Sequence, residues 1–93
     1  MKSPKDKTNF INKFILSDFK SNEMTILDLD KSKLFTFNIT AKFIYKKLKL
    51  GLTASAIVKR IEKKFKISKL KAEKDVENII EIIKKYKLDK ASV

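Results

Sequence analysis

Along residues 26–88 the spacing of apolar residues changes from alternation to helical stripes, and this order constrains the fold more than any other feature of the chain. From Met24 to Asp30, Thr25, Leu27 and Leu29 point one way and Met24, Ile26 and Asp28 the other, which predicts a strand. Asp30, Lys31, Ser32 and Lys33 form a polar break of the length a four-residue hairpin connection needs, although no glycine favours a primed turn there. Phe35, Phe37 and Ile39 then alternate with Leu34, Thr36 and Asn38, and their aromatic and β-branched character predicts the second strand of a hairpin. Upstream, the cluster Phe14, Ile15 and Leu16 within Phe10 to Phe19 fits a further short strand.

Three helices follow. The first is expected over about Thr40 to Leu50, with Ala41, Ile44, Tyr45 and Leu48 on one face and Asn38 placed to cap its free N–H groups. Gly51, the only glycine, supplies the left-handed residue that ends it. Thr53 is a reasonable cap for a second helix striped by Ala54, Ile57, Val58, Ile61 and Phe65. A third is expected from Leu70 or Lys71 to Tyr86 or Leu88. Ala72, Val76, Ile79 and Ile83 centre its buried face, with Ile80 on one flank and Ile82 and Tyr86 on the other. That apolar arc is broader than one packing contact requires: the surplus is either extra core or one wall of a groove.

Composition narrows the chemistry. At 93 residues the chain is long enough for one modest core, expected over residues 10–88 between a tail at 1–9 and a flexible end at 89–93. Lysine and arginine number 23 against 11 acidic residues, a formal charge of +12 that either attracts anionic partners or serves solubility alone. The absence of cysteine and histidine removes disulfides, thiolate chemistry, the usual metal ligand and the usual general base, so no enzyme activity, cofactor or metal is expected. Met1 to Asn9 lacks the apolar core of a signal peptide and no run approaches a membrane span, so a cytoplasmic protein with no membrane partner is expected.

The junction residues resemble those of the PqqD-like family, the small precursor-peptide recognition elements of ribosomal peptide natural-product pathways. That family places Leu-Asp at the end of one strand, an aromatic and then a hydrophobic-Asn at the end of the next, a small-residue helix ending in Gly, a second helix, and then an Asp-Val pair opening a long third helix. Here Leu27-Asp28, Phe35 with Phe37-Asn38, Thr40-Ala41 through Ile44-Tyr45 to Gly51, Ile57 with Phe65, and Asp75-Val76 fill those places. There are departures: the turn lacks the usual glycine, Phe37 stands where leucine is commoner, Tyr45 where tryptophan is common, and Lys87-Leu88 replaces a closing Gly-Leu. They point away from the cofactor-pathway protein itself and towards a stand-alone relative serving another peptide product.

The resemblance implies an α+β winged helix-turn-helix fold, a three-stranded N-terminal antiparallel sheet followed by three helices, that binds a leader peptide as an added strand beside the third helix. The implied contacts are Lys33, Leu34, Phe35, Thr36, Phe37 and Asn38 along the strand and Lys71, Asp75, Asn78, Ile79, Ile82, Lys85 and Tyr86 along the helix. Several have a second reading. Asn38 also suits a helix cap, Asp75 also suits stabilisation by the helix dipole, and Phe35 and Phe37 also suit the core, leaving Leu34 and Thr36 to meet the peptide. The implied partners are a precursor leader and a maturation enzyme, whether a radical S-adenosylmethionine enzyme, a protease or a cyclase. A homodimer through the open strand edge is a further expectation.

The alternative is a winged-helix nucleic-acid-binding protein, which the charge favours. Against it, Asn78 is the third helix's one side chain of the arginine, asparagine or glutamine type suited to base edges, while Glu73, Glu77 and Glu81 would repel phosphates.

Overall fold

A computed structural model describes residues 13–18 and 23–90 of the chain; the expected tail at 1–9 lies outside the described residues, as do residues 91–93. The elements are β1 (Phe14–Asp18), β2 (Met24–Asp28), β3 (Lys33–Phe37), α1 (Ile39–Lys49), α2 (Ala54–Phe65), α3 (Lys69–Tyr86) and a 3₁₀ turn (Leu88–Lys90). This is the expected α+β arrangement, a three-stranded antiparallel sheet of order β1-β2-β3 followed by three helices.

The alternation read in the sequence sets the two faces of the sheet. Met24, Ile26 and Asp28 are buried, as are Phe35 and Phe37 opposite them, whereas Leu34 and Thr36 turn to the exposed side. Shifting the register by one residue would exchange these faces, so the core itself fixes the pairing Ile26↔Phe35. The turn closes without glycine. Asp28 Oδ1 accepts from the N–H groups of Asp30 at 3.0 Å and Lys31 at 3.2 Å, and Ser32 takes the left-handed conformation at φ 51°. The Leu-Asp pair therefore owes its place to the hairpin. Because the loop spans residues 29–32, β2 stops at Asp28 rather than Asp30 and β3 begins at Lys33.

Each helix is capped by a side chain. Asn38 Oδ1 accepts from Ala41 N–H at 2.9 Å, Thr53 Oγ1 from Ala56 N–H at 3.2 Å, and Ser68 Oγ from Lys71 N–H at 3.1 Å. The cap at Ser68 explains why α3 starts at Lys69, ahead of the expected Leu70 or Lys71. At the end of α1, Gly51 stands at φ 94°, with Gly51 N–H donating to Leu48 O at 3.0 Å and Leu52 N–H to Lys47 O at 3.1 Å. These paired bonds form a Schellman motif, which needs a left-handed residue at Gly51. Lys66 and Lys87 take the same conformation after α2 and α3, at φ 54° and 57°.

The core lies between the sheet and the helices. Ile26, Ile44, Ile57, Ile61 and Leu88 are fully buried, each stabilising the fold by roughly 1.5–3 kcal/mol relative to an exposed position. Leu88 is held from two sides, since Tyr45 Oη donates to its carbonyl at 2.7 Å and Lys49 Nζ donates to the next carbonyl, of Asp89, at 3.0 Å. Asp89 and Lys90 follow Leu88 in a 3₁₀ turn. Among the described residues no helix is long and apolar enough to cross a membrane.

Candidate functional site

Among the described residues β3 pairs with β2 alone, so its outer edge is open. Bonding alternates along an antiparallel pair, and the Leu29 N–H to Lys13 O bond of 2.9 Å sets its phase. Thr25 and Leu27 bond towards β1, while Met24, Ile26 and Asp28 bond towards β3. It follows that Leu34 and Thr36 direct their backbone N–H and C=O groups away from the sheet. An extended chain laid along β3 would find its partners there.

Helix α3 runs antiparallel to β3 along this edge. At one end, the rings of Phe35 and Tyr86 meet with centroids 4.8 Å apart, and the ammonium of Lys33 lies 5.2 Å from the Tyr86 ring centre. Lys85 lies 5.4 Å from the same ring, so two cations flank a half-exposed aromatic. At the other end, Asn38, Thr40, Ala41 and Ile44 face Lys71, Asp75, Asn78 and Ile79 across an open depression of about 300 Å³. Between these ends the strand extends roughly 17 Å, about five extended residues.

The cleft brings the implied residues together in different capacities. Leu34, 60% exposed, and Thr36 offer both side chain and backbone. Phe35 and Phe37 are buried, Phe37 against Tyr45 with ring centroids 5.6 Å apart, so their side chains belong to the core. Asn38 caps α1 and lines the depression at once. Asp75 lies beyond the first turn of α3, where the dipole has faded, and its carboxylate is held by Lys71 Nζ at 3.1 and 3.3 Å. That i,i+4 pair compensates part of the Lys71 charge expected to attract an acidic peptide. Ile79 is buried beneath the depression, while Ile82 is half-buried on the flank.

Sequence reasoning missed Ile67, which joins the lining from the loop between α2 and α3. A signal for it existed: an apolar residue just before the Ser68 cap, with the buried Ala72 at the fourth position of the helix, has the spacing of a hydrophobic staple. Thr40, Ala41 and Ile44 line the depression because the first turn of α1 follows directly on β3.

The profile of the family described as "Coenzyme PQQ synthesis protein D (PqqD)" matches residues 23–88. The chain belongs to the PqqD family. Comparison with curated protein sequences finds no match. Two solved structures share the chain's fold. One is described as "TbiB1 in Complex with the TbiA(beta) Leader Peptide", at TM-score 0.67 and 17% identity, covering 82% of this chain and 87% of that one. The other is "Lasso peptide synthetase B1 complexed with the leader peptide", at TM-score 0.68 and 18% identity, covering 80% and 86%. The matched segment contains the whole cleft, from Lys33 to Tyr86. It also contains the departures from the PqqD pattern. Tyr45 stands in the core and gains a hydroxyl bond, Phe37 packs upon it, and Lys87 holds the left-handed position.

Proposed function

We propose that this protein is a non-catalytic adaptor that binds the leader of a ribosomally made precursor peptide and delivers it to a modifying enzyme or leader protease. One observation carries the reading: an open strand edge lies antiparallel beside a helix whose facing flank mixes apolar and charged side chains. The leader would lie as a fourth strand on β3, bonding to the outward groups of Leu34 and Thr36. Its alternate side chains would reach the depression between Asn38 and Asn78 and the flank formed by Ile82 and Tyr86. The likeness to two leader-peptide complexes supports the same mode.

Such an adaptor works by tethering. Holding the leader raises the local concentration of the core peptide at the enzyme, to the millimolar range for short flexible links, with no chemistry of its own. Membership of the PqqD family supports a place beside a maturation enzyme, a radical S-adenosylmethionine enzyme, protease or cyclase, in the cytoplasm. A second copy pairing along the same edge would form a dimer that competes with the leader.

The reading is tested by titrating labelled leader peptides, taken from short precursor genes beside this one, against random duplex DNA at about 50 and 200 mM salt. Leader binding should persist at the higher salt. Binding of DNA alone, weakening by orders of magnitude between the two, would refute the adaptor.

A further inference from the structure

A second depression lies between α1 and α2, and nothing in the leader-binding role uses it. Its floor is apolar, built from Ile39, Phe43, Leu50 and Phe65, with Leu50 71% exposed. Phe43 and Phe65 meet edge to face, ring centroids 5.8 Å apart at 83°. The rim is cationic. Lys47 lies 5.2 Å from the Phe43 ring centre, and Lys64 lies 5.5 Å from Phe43 and 5.7 Å from Phe65. The space enclosed is about 250 Å³.

The balance of charge at this rim is incomplete. Lys42 and Lys46 both line the depression and both pair with the single carboxylate of Asp18. Neither Lys47 nor Lys64 has a carboxylate partner among the described residues. An apolar floor inside an undercompensated positive rim complements a surface with the opposite arrangement, apolar at the centre and acidic around it. Both walls are helices, whose backbone groups are satisfied internally, so no strand edge is offered. An occupant gains side-chain contacts alone, and an amphipathic helix presents those while satisfying its own backbone.

We infer that the α1–α2 depression is a docking site for an acidic amphipathic helix of a partner protein, separate from the leader cleft. The two depressions share no residue. On α1, Thr40, Ala41 and Ile44 lie about 125° around the axis from the set centred on Ile39, Phe43 and Leu50, at about 100° per residue. Both can be filled together, which an adaptor joining two molecules requires. A second copy fits poorly, since each copy would set lysines against lysines in a chain of net charge +12. Nucleic acid gains little from the floor, because the two rings pack edge to face and lysine ammoniums lie over them, so a base would have to displace those contacts in order to stack.

The test uses a synthetic helical peptide with leucines at i, i+3, i+4 and i+7 and glutamates elsewhere, beside a scrambled peptide of equal composition. Oligothymidine and phosphatidylserine vesicles are the competing probes. The patterned peptide should bind at least about tenfold tighter than the scrambled one, and K47E with K64E should weaken it by a similar factor. Leu50→Ser, at an exposed position, should weaken it severalfold without unfolding the chain. Amide shifts should concentrate at Ile39, Phe43 and Leu50. Equal binding of both peptides, an unaffected double variant, or tighter binding of oligothymidine or vesicles at these residues would overturn the site. Leader titration of the double variant keeps the two readings apart, because loss of helix docking with leader capture intact concerns this depression alone.

Discussion

The rings of Phe35 on β3 and Tyr86 on α3 meet with centroids 4.8 Å apart at an interplanar angle of 59°, joining the open strand to the last turn of the helix beside it. Phe35 is buried and Tyr86 half-buried, so one ring anchors the contact and the other forms the visible wall of the cleft. Tyr86→Ala should cost about 1–3 kcal/mol in urea unfolding, from lost apolar area and ring contact, and should weaken leader binding as well. Tyr86→Phe keeps the ring and should leave both near wild type. Equal losses in the two variants would assign the effect to the hydroxyl instead.

The Tyr45 hydroxyl donates to the Leu88 carbonyl at 2.7 Å across 43 residues of sequence. Tyr45→Phe leaves that carbonyl buried and unpaired and should cost about 1–2 kcal/mol at neutral pH. Burial, reinforced by the Asp89 charge, pushes the phenol up to about 12 from an ordinary 10.0. A pKa raised on folding means that the neutral form stabilises the fold fully below pH 10, and that this contribution is lost as pH rises towards 12. The stability gap between wild type and Tyr45→Phe should therefore be constant up to about pH 10 and narrow above it. Chemical denaturation at a series of alkaline pH values measures the gap, and comparing the two chains cancels the common titration of lysines.

Asp18 at the end of β1 accepts hydrogen bonds from Lys42 and Lys46 on α1, and these two bonds, Lys42 foremost, hold its carboxyl below the ordinary 3.8. The depressed value makes the ion pair's contribution present above pH 3.8 and lost as pH falls through the lower folded pKa. The site is solvent-exposed, so Asp18→Asn should cost well under about 1 kcal/mol at neutral pH and low salt. The difference from wild type should vanish in acid and shrink in molar salt. Thermal melts at the four combinations of pH and salt check it.

Much of the fold was legible because it depends on neighbours in sequence. The stripes of α1 and α2, the caps at Asn38 and Thr53 and the stop at Gly51 are each determined within a few residues. The apolar stripe alone starts α3 late because the Ser68 cap lies ahead of it, and the hairpin limits differ from the alternation because Asp28, rather than a glycine, organises the turn. Along the cleft, the alternation separated Leu34 and Thr36 from the buried Phe35 and Phe37. The rest needs proximity in space. Ile67 reaches the depression from a separate loop, and Lys33 reaches Tyr86 only because α3 returns along β3. The Lys71–Asp75 pair had a readable i,i+4 spacing, but its weight against the dipole follows from where the helix begins.

Lys87 ends α3 in the left-handed conformation, at φ 57° and ψ 40°, while its N–H bonds to the Ile83 carbonyl. A side chain there bears a steric cost that glycine escapes, on the order of 1 kcal/mol. Lys87→Gly should raise stability by somewhat less, since glycine also gains entropy in the unfolded chain. Gly51→Ala runs the other way. Space around Gly51 is open, and an added Cβ would meet no atom within 4 Å, yet φ 94° strains any L side chain. A loss of about 1 kcal/mol or more is expected. Urea midpoints of the two variants, read at constant m, separate this backbone effect from crowding.

Thr36→Pro isolates the strand edge from everything else in the cleft. The Thr36 N–H faces away from β2, so proline there removes no bond of the sheet, and prolines are tolerated on such edges. The variant should fold with its melting temperature within a few degrees of wild type and should lose leader binding by at least about tenfold, because a strand added to β3 would lack one donor and meet the ring. Thr25→Pro is the contrast. Thr25 lies in the central strand, where its N–H bonds towards β1, and proline should unfold the sheet. Ile82→Asp reports on the opposite wall by placing a carboxylate on the half-buried flank of α3, and it too should abolish capture. Should Thr36→Pro and Ile82→Asp both fold and bind leader as wild type does, the peptide does not lie between β3 and α3.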